Sequence, residues 1–91
     1  MLSMIIADDQ DDLLDDMGLL CSYLEVNGDK LNVVGLCKNG FEALDALLTT
    51  RPDFALLDIE MPGINGVEVA KKARQMSPNT KNIICSGHAD R

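Results

Sequence analysis

The stretch "FALLDIEMPGING", residues 54–66, decides how this chain reads. Four apolar residues run directly into Asp58, and Pro62, Gly63 and Gly66 follow within eight positions. A short apolar run without polar alternation is the pattern of a strand covered on both faces. An acid at its end, with turn formers behind it, places a carboxylate at a strand tip above a tight loop. A single strand-tip Asp often does no more than cap the next helix. The reading therefore depends on what else in the chain reaches the same edge.

Three further apolar runs, 4–7, 32–37 and 82–86, share the character of 54–57. Helical patterns lie between them. From Leu13 apolar residues recur at Met17, Leu20, Cys21 and Leu24, with Gly28 where a helix C-terminal glycine would sit. A second helix is expected over 40–50, with Phe41, Leu44, Leu47 and Leu48 as its stripe and Pro52 ending it. A third begins near Asn65 and carries Val67, Val69, Ala70, Ala73 and Met76. Its Lys71, Lys72 and Arg74 suit the negative end of the helix dipole, and Pro78 closes it. The order β-α-β-α-β-α-β with right-handed crossovers predicts an open, doubly wound parallel α/β sheet in one domain over 1–91.

Composition narrows the functions. The 91 residues are 46% hydrophobic but only 3% aromatic, so aliphatic side chains must fill the core. A net charge of −7 disfavours nucleic acid or an anionic membrane as a direct partner. No apolar run approaches a membrane span of roughly 20 residues. The N-terminus lacks the basic start of a signal peptide. Cys21, Cys37 and Cys85 are scattered, without a C-x-x-C pair, as expected of small buried hydrophobes in a reducing cytoplasm.

In such sheets sites form beyond the carboxyl ends of the strands, where strand order reverses. The first strand ends in Asp8 and Asp9, the third in Asp58 and the fourth in Ser86. If the first and third strands are neighbours, two or three like charges meet, and each resists ionising. A hard divalent cation, Mg²⁺, resolves the conflict through carboxylate, carbonyl and water oxygens. With it bound, a carboxylate can take a phosphoryl group, and the Ser86 hydroxyl can donate a hydrogen bond to a phosphoryl oxygen. Asp11, Asp12, Asp15 and Asp16 are read instead as first-helix acids that suit its dipole.

At this point the chain resembles the receiver domain of two-component response regulators. "IIADD" (5–9), "NGFEAL" (39–44), "RPDFALLDIEMPGINGVEVAKKAR" (51–74) and "IICSGH" (83–88) match family blocks in order and spacing. The resemblance implies a flavodoxin-like fold, a Mg²⁺ cofactor and a sensor histidine kinase as phosphodonor. Residue by residue, Asp58 resembles the phosphoacceptor, Asp9 the direct metal ligand and Asp8 the second acidic contact. Glu60 would offer its backbone carbonyl to the metal and its side chain would influence dephosphorylation. Ser86 takes the switch-hydroxyl position, with small Gly87 beside it. Against the family pattern, the last helix-strand-helix and its lysine fall outside the 91 residues. The expected architecture is therefore a partial receiver of four strands in the order 2-1-3-4. Lys81 should lie at the far end of the sheet, and His88 is the one nearby candidate to replace the lysine. The fourth strand and one sheet face would be open to a homo-oligomer contact.

Three functions compete. The first is a phosphoacceptor signalling module that acts on an output domain or effector, with no enzymatic activity beyond its own phosphorylation and dephosphorylation. The second is a degenerate receiver that works by phosphate-independent docking or dimerisation. The third, an aspartyl-phosphate phosphatase, is disfavoured because no D-x-D ends a strand.

Overall fold

In the computed structural model, which describes residues 1–85, eight elements follow one another. They are β1 (Leu2–Ala7), α1 (Asp11–Cys21), β2 (Glu25–Val26), β3 (Asp29–Cys37), α2 (Gly40–Thr50), β4 (Phe54–Asp58), α3 (Gly66–Met76) and β5 (Lys81–Cys85). The sheet order is β2-β3-β1-β4-β5. Strands β3, β1, β4 and β5 are parallel, and β2 runs antiparallel to β3. The four expected strands thus stand in the expected order, and the α/β doubly wound architecture holds.

Among the described residues the strand count must be corrected to five. Glu25–Val26 folds back on Asp29 and Lys30 through Asn27 (φ 52°) and Gly28 (φ 85°). Two consecutive positive φ angles define the primed hairpin turn that Asn-Gly favours. Gly28 therefore turns a hairpin and does not end α1. That helix stops at Cys21, where the Ser22 N–H donates to the Gly18 carbonyl at 3.1 Å.

The helix stripes also need correction. On one sheet face Ile5, Ala7, Ala55 and Leu57 meet Ala43 and Leu47 of α2 and Val69 and Ala73 of α3. On the other, Met4, Ile6 and Leu31 meet Leu14 and Cys21 of α1. The larger side chains expected inside, Phe41 and Leu48 of α2 and Leu13 and Leu20 of α1, are exposed. Leu47, Val69 and Ala73 of the expected stripes do face the sheet, joined there by Ala43, while Gly66 packs on the Asp58 main chain and Gly40 on the Ile64 carbonyl of the loop before α3. Each fully buried aliphatic of the central strands, such as Ile5, Ile6 and Leu57, contributes about 1.5–3 kcal/mol. Strands β1 and β3 meet α1 on one face and α2 on the other, whereas β4 packs on α3 and its Phe54 and Leu56 are only half-buried on the opposite face. Ile83 and Ile84 of β5 remain exposed on the sheet's outer strand.

The topology sets the site. The chain leaves β1 for β3 on one side, then crosses to β4 on the other. The C-terminal ends of β1 and β4 therefore flank the point where strand order reverses, and a crevice forms there in doubly wound sheets.

Candidate functional site

Each acid is delivered to this edge by a strand that cannot shift register without exposing core. Ala7 lies opposite Leu57 in the β1–β4 ladder, so Asp8 and Asp58 emerge side by side. The Asp8 N–H donates to the Cys37 carbonyl at 2.9 Å and extends the β1–β3 pairing one residue past the strand. Its carboxylate Oδ1 accepts the Gln10 N–H at 2.9 Å, which turns the chain toward α1. Asp9 lies between them and is exposed.

Asp58 is the last residue of β4, opposite Cys85 of β5, and only 2% exposed. Behind it the Ile59 N–H donates to the Cys85 carbonyl at 3.0 Å. The Glu60 N–H approaches Asp58 Oδ1 at 3.4 Å, so the loop folds back beside the carboxylate it follows. Gly63 makes that return with φ 84°, a conformation costly for any other residue.

One carboxylate oxygen from each of Asp8, Asp9 and Asp58 lies within 4.8 Å of the others. Two of the three groups are buried. The electrostatic consequence appears at Asp8, whose carboxyl is raised above its ordinary range chiefly by burial. The negative charges of Asp58 and Asp9 add to this, and the Gln10 N–H partly offsets it. Three hard oxygen donors, without a histidine or cysteine in the set, fit Mg²⁺ in ligand type and charge.

The sequence-derived assignments divide accordingly. Asp8, Asp9 and Asp58 come together. The Glu60 N–H lies 3.4 Å from Asp58 Oδ1, which places the residue beside the cluster. Lys81 begins β5 opposite Phe54, at the far end of the sheet from Asp58. Ser86, Gly87 and His88 lie outside the described residues.

Three contributors were not legible in the sequence. Gln10 orients Asp8 through its backbone N–H, which leaves no side-chain signature. Cys85 flanks Asp58 on the side away from Asp8, and its thiol is pushed up by burial and then by the charges of Asp58 and Asp8. Gly66 looked like a loop residue but is the first residue of α3, packed against the Asp58 backbone.

A parallel α/β sheet with an acidic triad at its switch point defines a class of phosphoryl- and cation-handling signalling folds. The chain belongs to one family within it: the response regulator receiver domain profile matches residues 4–91. Among curated relatives, the uncharacterized transcriptional regulatory protein YvfU of Bacillus subtilis is 39% identical over 89 residues, 98% of this chain and 42% of its own length. A DNA-binding response regulator of the LuxR family from Staphylococcus aureus superposes with a TM-score of 0.82 at 33% identity, over 92% of this chain and 67% of that one. The receiver domain of the putative response regulator NarL from Mycobacterium tuberculosis gives 0.79 at 32% identity, over 96% and 67%. The chain spans less than half the length of the curated relatives it matches. Receiver domains are signalling modules, not enzymes acting on external substrates. Among the described residues no helix is long and apolar enough to cross a membrane.

Proposed function

We propose that this receiver is the phosphoacceptor of a two-component phosphorelay, taking a phosphoryl group from a sensor histidine kinase onto Asp58. The observation that carries the proposal is the meeting of Asp8, Asp9 and Asp58 within 4.8 Å at the sheet's switch point. A purely structural role would not bury two acids against each other at a cost in charge repulsion. Asp9, Asp8 and Asp58, with the Glu60 backbone carbonyl, would hold Mg²⁺. When bound, the cation neutralises the acids and the incoming phosphoryl oxygens.

The chain's own residues do the rest. An Asp58 carboxylate oxygen attacks phosphorus, the bond from phosphorus to the donor histidine nitrogen breaks, and the imidazole leaves with that electron pair. The product is an acyl phosphate on Asp58. Water attack at phosphorus later returns inorganic phosphate and the free carboxylate. The Glu60 side chain, two residues from the acceptor, would influence the approach of that water. Ser86 would donate its hydroxyl to a phosphoryl oxygen and so report occupancy to an output domain or effector in the reducing cytoplasm.

Incubation with acetyl phosphate and Mg²⁺ tests the reading. The intact mass should rise by one phosphoryl group in wild-type protein and not in Asp58→Asn. No adduct on wild-type protein, either from acetyl phosphate or from a phosphorylated histidine kinase, would turn the assignment toward a receiver that docks without phosphate.

A further inference from the structure

We infer that Gly66 is a positioning residue for Asp58: the missing side chain at the first residue of α3 lets that helix seat directly on the Asp58 main chain and hold its carboxylate beside those of Asp8 and Asp9. The functional consequence rests on the phosphoacceptor reading, but the geometric content concerns the acidic cluster alone.

A methyl group on Gly66 would fall inside contact distance of the Asp58 carbonyl oxygen. It would also lie 2.8 Å from the Asp58 carbonyl carbon and 3.3 Å from Ile59 Cα. These are backbone atoms of a strand end, which cannot rotate aside as a flexible side chain would. Gly66 is not among the residues with positive φ, so the requirement is for space and not for a special backbone conformation. The approach is also fastened. The Gly66 N–H donates to the Ile59 carbonyl at 3.1 Å, and the Asn65 side chain caps α3 by accepting the Glu68 N–H at 2.9 Å.

On its other side Asp58 is held by β5, through the Asp58–Cys85 register and the bond from the Ile59 N–H to the Cys85 carbonyl. The acceptor's main chain therefore sits between α3 and β5. Its side chain is 2% exposed, so it has little room to swing back if the main chain moves. An added methyl must lift α3 or push Asp58, and pushing Asp58 moves its oxygen away from those of Asp8 and Asp9. Groups that orient metal-binding side chains from behind commonly change affinity by 10- to 100-fold when altered.

Mn²⁺ affinity, read from the electron paramagnetic resonance signal of free Mn²⁺, tests this without any phosphoryl chemistry. Gly66→Ala should weaken Mn²⁺ binding by about 10-fold or more. Asn65→Ala, which loosens the same turn without adding an atom against Asp58, should weaken it several-fold. Gly35→Ala is the control. Its methyl would press on Ile5 Cγ2 at 3.2 Å in the middle of the sheet, so it should lower thermal stability and leave Mn²⁺ affinity unchanged.

Wild-type affinity in folded Gly66→Ala overturns the inference, as does an equal loss in Gly35→Ala. If Gly66→Ala does not fold, Asn65→Ala decides, and an unchanged affinity there overturns it. A wild-type protein that binds no Mn²⁺ overturns both this inference and the cation reading. Affinities that behave as stated in a protein that never gains phosphate would sink the phosphoacceptor reading alone.

Discussion

Replacing Asp58 by Asn should stabilise the cation-free protein, although it removes the residue on which function is proposed to rest. The change is nearly isosteric, and the amide oxygen can still accept the approach of the Glu60 N–H at 3.4 Å. What disappears is a buried negative charge whose oxygen lies within 4.8 Å of the buried Asp8 carboxylate. At an effective dielectric of about 20, two charges at that distance repel by about 3.5 kcal/mol. Solvent reaching this open edge of the sheet weakens the repulsion, and Asp9 is exposed and screened. The expected net gain is about 1–3 kcal/mol, a rise in Tm of at least about 4 °C for a domain of this size. Far-UV circular dichroism melts in EDTA at neutral pH measure it. Adding Mg²⁺ should then reverse the ranking. Binding at about 100 times Kd stabilises wild-type protein by about 2.7 kcal/mol, and Asp58→Asn, with one donor fewer, should gain much less. A lower Tm for Asp58→Asn in EDTA, or equal Mg²⁺ shifts for both proteins, would refute the view that these acids form one strained, cation-hungry cluster.

Asp8 should impose a pH dependence of defined sign. Its folded-state pKa is raised above 3.8, so the folded protein binds the extra proton in the window between the two values. Its contribution to stability should rise as pH falls through that window and level off below it. Wild-type minus Asp8→Asn stability, measured against pH in EDTA, isolates this slope, and a slope of opposite sign contradicts the burial argument. Gly28→Ala should cost about 1 kcal/mol or more, because φ 85° strains an alanine, while Mn²⁺ affinity stays at the wild-type value. Cys37 is 3% exposed and its thiol is pushed up to about 11, chiefly by burial and then by Glu42 and Asp45. At pH 8 only about one thiol in a thousand is then ionised. Brief alkylation of native protein should therefore spare Cys37, and peptide mapping that finds it labelled as fast as in urea would show the thiol to be accessible.

How much of this was legible beforehand depended on the range of the interaction involved. Strands 54–58 and 4–7 announced themselves because a strand with one face buried and the other at least half-buried carries consecutive apolar residues, a demand visible in a handful of positions. Asp8, Asp9 and Asp58 were nameable because strand tips of a parallel sheet face one edge, which chain order alone implies. Local chemistry was also the source of one misreading. Asn27-Gly28 is a strong hairpin signal, but the apolar pattern reaching Leu24 drew the helix past its true end at Cys21 and hid β2.

Helix rotation was hidden for a different reason. An apolar stripe shows that a helix has an inner face, but not how closely that face must approach the sheet. In α2 and α3 the expected Leu47, Val69 and Ala73 go inside, but Gly40, Ala43 and Gly66 are buried beside them and Phe41, Leu48 and Val67 are turned out. Sequence by itself determined the order of elements apart from the short β2, the aliphatic core strands and the identity of the acids, because each follows from contacts between chain neighbours or from the chemistry of one side chain. Only the tertiary structure decided that three carboxylates share one 4.8 Å space, that Cys85 stands beside Asp58 and that Gly66 abuts its main chain. Those relations join residues far apart in the chain, and their distances are set by how tightly helices and strands close on one another.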